Sequence, residues 1–315
     1  MLNPNSKKVK NNGISKFHVF KWLAFLGMFI INHRGWWNYY FHFPWNRIVS
    51  FKYWKEKIME LIHPSSIGKI MTDAVSIDKS LLNVADFERM KMLISPDEAK
   101  ELISSKKKTP SDHELLQPLW DHTLSAGAKT YLEDLAGEKS YSYRAELDLK
   151  SFNKGLMCEQ AGIDLINQVY FTRYAKHSGR IETDLLSGEC DIYVAGERVR
   201  DVKNAWSLDT FPKLIHRAHS TLYEFQGRAY MHLYDVPEFN LDWVLVDTPE
   251  ELIKWEDIKL HEVSHIDALL RVTTVTYKRD FDIERKMLLR CREAQLYIER
   301  MKKQILIDHN YEYES

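Results

Sequence analysis

The sequence predicts an α/β domain in which a β-hairpin lies between amphipathic helices. Two short β-rich runs surround Ala195-Gly-Glu197, as in a hairpin with a tight turn. Before and after them, apolar side chains recur every three or four positions, which is typical of helices that cover a core. The predicted elements, in chain order, are a helix over 151–177, the hairpin 187–203, a helix over 212–234, and strands over 243–246 and 272–277.

Charge and composition divide the chain into two parts. The 315 residues are 44% hydrophobic and 12% aromatic, which is enough for a packed core. The net charge of −1 gives no overall sign of a polyanionic partner, but residues 1–57 carry a net charge of +9 and the remainder −10. We therefore expect a basic, aromatic N-terminal extension over 1–58 and one domain over 59–315. The extension is compatible with a nucleic-acid arm, a membrane-surface element or sequence upstream of the natural start.

Cysteine spacing and hydropathy favour a cytoplasmic protein. Cys158, Cys190 and Cys291 form no CxxC pair, so neither a disulfide framework nor a four-cysteine cluster is expected. The apolar run 22–31 has only ten residues, too few to span a bilayer, and no small-residue cleavage site follows it. We expect no membrane association.

The domain is expected to begin with helices. The segment Pro64-Ser-Ser-Ile-Gly-Lys69 is typical of a Ser-capped helix start with hydroxyls and a lysine nearby. A polar linker over 104–110 precedes a predicted helix over 112–135.

Glu159 falls on the apolar face of the helix predicted over 151–177. An unpaired buried carboxylate is costly, so it must shift its pKa, find a cation or bind a metal. A structural salt bridge is the simpler interpretation. The stripe that carries Glu159 is Phe152, Leu156, Glu159, Ile163, Ile166 and Tyr170.

The hairpin brings together a second group of charges. On its second strand Val199, Asp201 and Lys203 share one face, because side chains alternate along a strand. Asp191 lies on the neighbouring strand and could approach Asp201 across the turn. Two adjacent carboxylates repel unless a cation lies between them, and hard oxygen ligands select Mg²⁺ or Mn²⁺.

The helix that follows is predicted to start at Pro212 and to run to about Tyr234. It places Gln226 and Tyr230 one turn apart. An ordinary amphipathic helix would show the same spacing. The apolar stripe consists of Ile215, Leu222, Gln226, Ala229 and Leu233.

The order of these elements resembles that of the PD-(D/E)XK nucleases. Helix Glu159, Gly188-x-x-Asp191, Asp201-x-Lys203 and Gln226-x-x-x-Tyr230 follow one another as in the RecB-like branch, over about residues 150–260. The opening at Pro64 is similar to the start of the lambda-type and YqaJ-like phage exonucleases, which supports a domain start at Met59. The resemblance implies a central mixed β-sheet flanked by helices, the restriction-endonuclease-like core, with extra N- and C-terminal helices.

The resemblance also implies roles for individual residues. The metal, Mg²⁺ or Mn²⁺, would be ligated by Glu159, Asp191, Asp201 and the carbonyl of Val202, and Lys203 would orient or deprotonate the attacking water. Further along the chain, Gln226 and Tyr230 would face the same cavity and shape the path of the scissile strand. By the same analogy Ser65, Ser66 and Lys69 would contact DNA phosphate.

The function that follows is a metal-dependent DNA exonuclease that resects duplex ends for recombination or repair in a phage or bacterial setting. A single-strand annealing protein is the partner that the resemblance implies, and self-association into a homo-oligomer is expected. Two alternatives stay open: an endonuclease of the same fold, and a non-catalytic DNA-binding or assembly subunit.

His261-Glu-Val-Ser-His265 matches the H-E-x-x-H pattern of zinc peptidases, with Glu284 as a candidate third ligand. Charges at Lys259 and Asp267, and a predicted strand soon afterwards, argue against it. We favour surface or interstrand histidines in a linker between the strands predicted over 243–246 and 272–277.

A basic C-terminal helix is expected over 282–307. Its cations could contact DNA backbone, but interleaved glutamates favour a solvated, internally paired surface. Those glutamates are Glu284, Glu293 and Glu299.

Overall fold

A mixed β-sheet lies at the centre of the part of the chain that the computed structural model describes, residues 59–143 and 149–310. The extension predicted over 1–58 lies outside the described residues. The strands are β1 (Ile181–Glu182), β2 (Ser187–Gly188), β3 (Ile192–Val194), β4 (Arg198–Asn204), β5 (Glu238–Val244) and β6 (Val272–Lys278).

The central sheet has the strand order β3-β4-β5-β6, and β1 pairs with β2 apart from it. Strand β4 runs antiparallel to β3 and parallel to β5, and β5 is antiparallel to β6. Asp201 is opposite Leu241 on β5, so it lies in the middle of the sheet. The predicted hairpin and the central place of its second strand are confirmed.

Helices precede, connect and follow these strands. They are α1 (Pro64–Ile70), α2 (Val84–Met90), α3 (Pro96–Ser104), α4 (Pro110–His122), α5 (Ala126–Ser140), α6 (Lys150–Met157), α7 (Glu159–Tyr170), α8 (Ile215–Ala218), α9 (Thr221–Tyr234), α10 (Glu250–Ile253) and α11 (Phe281–Asp308). None of the described helices combines the length and apolar character needed to cross a membrane.

The two faces of the sheet are covered by α9 and α7. On one face Gly227 of α9 meets the ring of Phe239 so closely that a Cβ would lie 1.9 Å from its Cδ1. On the other face Ile163 and Ile166 of α7 pack with Val202 in one apolar cluster. The parallel pair β4 and β5 is thus joined through a helix that crosses the sheet. The predicted α/β class, a mixed sheet flanked by helices with extra N- and C-terminal helices, is confirmed.

The helix predicted over 151–177 is two helices followed by a loop. Cys158 is the C-cap of helix α6. Phe171 is the C-cap of α7, and its φ of 54° is left-handed. The predicted stripe therefore does not form one face: Phe152 and Leu156 are exposed. The physical reason lies in Lys154, which is fully buried and donates to the carbonyls of Trp206 and Val246, so α6 turns a polar side chain inward.

Three other helix boundaries differ from the prediction. The helix expected over 112–135 breaks before Ser125, whose hydroxyl caps α5. The N-cap of α1 is His63 and not a serine, with Pro64 at the first position. Pro212 does not start a helix; Ser220 caps α9 instead. At Ser125 and Ser220 a hydroxyl satisfies a backbone N–H that the helix leaves unpaired, which fixes the true start.

The C-terminal helix α11 is confirmed, but most of its glutamates pair outside the helix. Glu284 pairs with Arg279 and His232, and Glu293 with Arg89 and His122. Glu299 pairs with Lys302 as the sequence predicted. The ion pairs of Glu284 and Glu293 attach α11 to neighbouring elements. Cys158, Cys190 and Cys291 are free and buried.

Candidate active site

The site begins where β3 stops pairing with β4. The ladder between them runs from Val194↔Arg198 to Ile192↔Arg200, and Asp191 precedes β3. Beyond the ladder, no residue of β3 pairs with Val202 of β4. Its backbone nitrogen instead donates a hydrogen bond of 2.6 Å to Oδ2 of Asp191. The hairpin thus places one carboxylate against the edge of β4.

Asp201 projects from β4 toward helix α9 and is 2% exposed. Its Oδ1 accepts from the amide nitrogen of Gln226 at 3.0 Å. Its Oδ2 forms an ion pair with Nζ of Lys203 at 2.6 Å. The same amide of Gln226 reaches the hydroxyl of Tyr230 at 3.3 Å. Four of the predicted site residues therefore form one connected group.

The two aspartates interact electrostatically. Burial, and after it the charge of Asp201, raise the pKa of Asp191 to about 7, although Lys203 and the Val202 N–H act in the opposite direction. Glu159 contributes to the same rise. These carboxylates therefore share a region in which negative charge is costly and a cation is favoured.

Lys203 and Tyr230 both keep their protons in this environment. Burial would lower the pKa of Lys203, but the charges of Asp201 and Asp191 outweigh it and raise that pKa above its ordinary value. Nζ of Lys203 also lies 5.0 Å from the ring centre of Tyr223. Burial, and then the charge of Asp201, raises the pKa of the Tyr230 hydroxyl well above its usual range.

Glu159 stands at the start of α7, and its side chain is 25% exposed, not buried in an apolar stripe. It forms an ion pair with Lys176 in the loop after α7. Across residues 59–143 and 149–310, no three His, Cys, Asp or Glu side chains are grouped closely enough to hold one metal ion. The carboxylates of Asp191 and Asp201 are brought together, and Glu159 remains at the margin.

The donor set nevertheless fits a hard divalent cation. Asp191 and Asp201 offer carboxylate oxygens, which Mg²⁺ and Mn²⁺ prefer. The buried Oδ2 of Asp201 already lies 2.6 Å from the Lys203 ammonium group, so this is a place where positive charge is stabilised.

The candidate DNA-binding residues lie on α1, beside an open cleft of about 710 Å³. Ser65 and Lys69 are exposed, and the hydroxyl of Ser66 accepts from Tyr131 at 2.7 Å. Nζ of Lys69 lies 4.4 Å from the ring centre of Tyr131. The cleft has mixed charge, since Glu60, Asp134 and Glu138 line it together with His63, Lys69, Lys139 and Arg180.

Helix α1 starts close to the segment that leads to Asp191. A Cβ on Gly188 would lie 2.6 Å from Cγ of Pro64, so only glycine allows this contact. Nδ1 of His63 lies 3.1 Å from the carbonyl oxygen of Ser187. The glycine of Gly188-x-x-Asp191 thus lets the start of α1 lie against the chain three residues before Asp191.

The H-E-x-x-H segment does not form the zinc helix. A 3₁₀ turn, Ile258–Leu260, ends at His261, and the residues after it are irregular. His261 is fully buried; its Nδ1 lies 3.0 Å from the Thr248 hydroxyl, and its ring packs edge-on against Trp206. His265 is exposed. The favoured interpretation, histidines in a linker between strands, agrees with this geometry, although His261 lies in the interior.

The sequence interpretation missed the loop after α7. It assigned Lys176 and His177 to a helix, whereas Lys176 pairs with Glu159 and the backbone nitrogen of His177 donates to the carbonyl of Asp191 at 2.7 Å. Thr172 to Gly179 contains no apolar stripe, and this loss of periodicity was the available signal.

Comparison with solved structures identifies the fold. The chain is similar to a phage-related exonuclease from Haemophilus somnus 129PT, with a TM-score of 0.61 and 24% identity, over 78% of this chain and 97% of that one. It is also similar to an alkaline exonuclease from Laribacter hongkongensis, with a TM-score of 0.50 and 9% identity, over 82% and 98% of the two chains. No family model and no curated protein matches the sequence. The predicted resemblance to phage exonucleases is confirmed at the level of the fold.

Proposed function

We propose that this chain is a metal-dependent deoxyribonuclease that digests DNA from an end. The observation that carries the proposal is the pair formed by Asp191, just before edge strand β3, and the buried Asp201, which lies beside Lys203 on the central strand β4. The likeness in fold to two exonucleases, over more than three quarters of the chain, supports digestion from a DNA end rather than cleavage within the strand.

Asp191 and Asp201 would hold Mg²⁺ or Mn²⁺, with Glu159 and the carbonyl of Val202 as further ligands. The N–H and C=O of one residue point to the same edge of a strand, and the Val202 N–H points at Asp191. The carbonyl therefore faces the same side. Glu159 would have to exchange Lys176 for the ion. Bound here, a divalent ion would supply Lewis-acid chemistry to the phosphate and to a water.

The other residues of the group would act through charge and hydrogen bonds. Lys203 has a raised pKa, so it would stay protonated and stabilise negative charge that develops on the phosphate, in preference to accepting a proton from water. The amide of Gln226 holds Oδ1 of Asp201. The Tyr230 hydroxyl, which stays neutral, would remain a donor for a phosphate oxygen or a water.

DNA would reach this group along the cleft beside α1. Ser65, Ser66 and Lys69 offer two hydroxyls and one ammonium group, which are common ligands of phosphate. Helix α1 starts against the Ser187–Gly188 segment, which supports one continuous path from cleft to carboxylates. These three residues would position the backbone and would not read sequence.

The direct test is cleavage of linear and covalently closed duplex DNA by the purified full-length chain with Mg²⁺, Mn²⁺ or EDTA. Lys203→Ala and Asp201→Ala should abolish cleavage and keep the fold. Lys106→Ala is the matched control, because Lys106 is exposed in the loop between α3 and α4.

Each outcome has a distinct meaning. Metal-dependent loss of linear DNA alone, absent in the Lys203 variant, supports the exonuclease. Cutting of both forms would make the chain an endonuclease of the same fold. Absence of cleavage with every metal would leave a non-catalytic DNA-binding or assembly subunit.

The biological setting follows from this activity. We propose that the chain resects duplex ends for recombination or repair in the bacterial cytoplasm, or in the host cytoplasm if a phage encodes it, and passes single strands to an annealing protein. Self-association into a homo-oligomer is part of the proposal, and sedimentation of the purified chain measures it.

A further inference from the structure

Tyr234 is the last residue of α9 and lies one turn beyond Tyr230. The helix therefore carries Gln226, Tyr230 and Tyr234 at intervals of four, along one stripe. Gln226 contacts Asp201, and Tyr230 contacts Gln226. Tyr234 is 6% exposed and reaches the segment that carries Asp191. The stripe thus extends the Gln-x-x-x-Tyr element by one more residue.

The Tyr234 hydroxyl joins two loops of the site. It accepts a hydrogen bond of 3.3 Å from the backbone nitrogen of Cys190, the residue before Asp191. It donates a hydrogen bond of 3.2 Å to the carbonyl of Gly179, in the loop after α7. That loop carries Lys176, the partner of Glu159. One hydroxyl therefore connects the segment that precedes Asp191 with the loop whose Lys176 pairs with Glu159.

The two loops also touch directly, which makes the junction compact. The backbone nitrogen of His177 donates to the carbonyl of Asp191 at 2.7 Å. The ring of His177 packs edge-on against the ring of Tyr234, with 5.4 Å between centroids. Asp191 is therefore held from three sides: by Val202 at its carboxylate, by His177 at its carbonyl, and by Tyr234 at the preceding nitrogen.

Packing and hydrogen bonding of Tyr234 can be separated by mutation. Its ring lies 5.0 Å from the centroid of Tyr193 and 6.5 Å from that of Tyr230, besides the contact with His177. Phenylalanine would keep these ring contacts. It would remove the hydroxyl and, with it, the polar contacts to Cys190 and Gly179, so Tyr234→Phe isolates their effect.

We propose that Tyr234 is a positioning residue of the metal site, acting through the Cys190 nitrogen and the Gly179 carbonyl. This inference rests on the proposed function and deepens it. Tyr234 contacts neither carboxylate; it fixes the backbone from which Asp191 projects and the loop that pairs with Glu159. Residues that orient metal ligands in this way commonly change metal affinity by about 10- to 100-fold when mutated. A residue with a merely structural role would change stability and leave metal affinity as it was.

The test is to titrate Mn²⁺ into the full-length protein and to measure its affinity by calorimetry. The proteins compared are wild type, Tyr234→Phe and Tyr297→Phe. Tyr297 on α11 is the matched control, because its hydroxyl donates to Glu133 at 2.6 Å, outside the site. We expect Tyr234→Phe to weaken Mn²⁺ binding by about tenfold and Tyr297→Phe to bind as wild type does. The Mn²⁺ concentration for half-maximal cleavage of linear DNA should rise by the same factor, with kcat recovered at saturating Mn²⁺.

The outcomes distinguish the role of Tyr234 from the proposed metal site on which it depends. Equal Mn²⁺ affinity in wild type and Tyr234→Phe overturns the role of Tyr234 and leaves the metal site standing. An equal loss of affinity in both Tyr→Phe variants also overturns it, because the effect would then be a general loss of stability. A wild-type protein that binds no Mn²⁺ overturns the proposed metal site itself, and the role of Tyr234 with it.

Discussion

The side-chain amide nitrogen of Gln226 lies 3.0 Å from Oδ1 of Asp201, and this bond joins helix α9 to the central strand β4. A neutral donor there satisfies one carboxylate oxygen and adds no charge. The other oxygen forms an ion pair with Lys203 at 2.6 Å. The helix thus orients Asp201 so that its second oxygen faces a cation.

Gln226→Ala should therefore lower the rate of DNA cleavage while the protein still folds. Loss of the donor frees the Asp201 carboxylate to rotate and leaves a buried oxygen unpaired, at a cost of about 1–3 kcal/mol in stability. We expect the rate of linear DNA cleavage to fall at least about tenfold, a typical effect of losing a residue that orients a metal ligand.

Rates of linear duplex digestion with Mg²⁺ and urea unfolding curves measure the two effects. Gln304→Ala is the matched control, because that amide donates to the exposed Asp308 near the end of α11. Full activity in Gln226→Ala would contradict the role of this hydrogen bond.

Lys69→Ala should weaken DNA binding by an amount that depends on salt. If Lys69 neutralises one phosphate, its loss lowers the slope of log affinity against log salt by about one. The contact with the Tyr131 ring is also lost, which costs only about 0.5–1 kcal/mol of stability.

Fluorescence anisotropy of labelled duplex DNA in EDTA, at several salt concentrations, gives the slope without cleavage. Lys106→Ala controls for the loss of a surface cation far from the cleft. An unchanged slope in Lys69→Ala would remove this lysine from the DNA path.

The sequence predicted the parts of the site that depend on local geometry. Asp201 and Lys203 share a face because strands alternate, and Gln226 and Tyr230 share one because helices repeat every 3.6 residues. Such periodicities are fixed within a few residues. They therefore hold in the structure, where Gln226, Tyr230, Asp201 and Lys203 are linked.

The parts that sequence could not predict depend on long-range contacts. The break at Cys158 accompanies the buried hydrogen bonds of Lys154 to carbonyls roughly 50 and 90 positions away, which no local pattern encodes. The loop after α7 is held by His177 and Asp191, again far apart in sequence. Glu159 was placed in an apolar stripe for the same reason, and its partner Lys176 comes from that loop.

Lys154 should make stability rise with pH above about pH 8. Burial lowers the pKa of Lys154 to about 8, whereas an unfolded lysine titrates near 10.4. Between these values the unfolded state binds more protons than the folded state, so the free energy of unfolding increases as pH rises. The full penalty of burying the charged form applies below pH 8 and is relieved as pH rises toward 10.4.

Urea unfolding at pH 7.5 to 9.5, for wild type and Lys154→Met, isolates Lys154 together with the Cys158 thiol, whose pKa depends on the Lys154 charge, because titrations of uncoupled groups cancel in the difference. The lost hydrogen bonds to Trp206 and Val246 shift the variant by a constant amount. Wild type should gain up to about 1.4 kcal/mol per pH unit relative to the variant above pH 8. A difference that does not change with pH would mean that Lys154 titrates normally.

Two glycine-to-alanine changes should act in opposite directions. At Gly227 of α9 a new Cβ would lie 1.9 to 2.3 Å from three ring atoms of Phe239, which is fully buried. Neither the helix nor the ring can move without opening the interface between α9 and the sheet, so we expect a loss of about 1–3 kcal/mol or more. At Gly137 of α5 nothing lies within 4 Å of a new Cβ.

Gly137→Ala should therefore stabilise the chain by about 0.5–1 kcal/mol, because alanine loses less backbone entropy in a helix than glycine does. Urea unfolding of both variants measures the two signs in one experiment. Gly227→Ala should also lower DNA cleavage, since the same helix carries Gln226 next to the substituted position. If Gly227→Ala were as stable and active as wild type, α9 could not pack on Phe239 as closely as described, and the hydrogen bond from Gln226 to Asp201 would lose its structural basis.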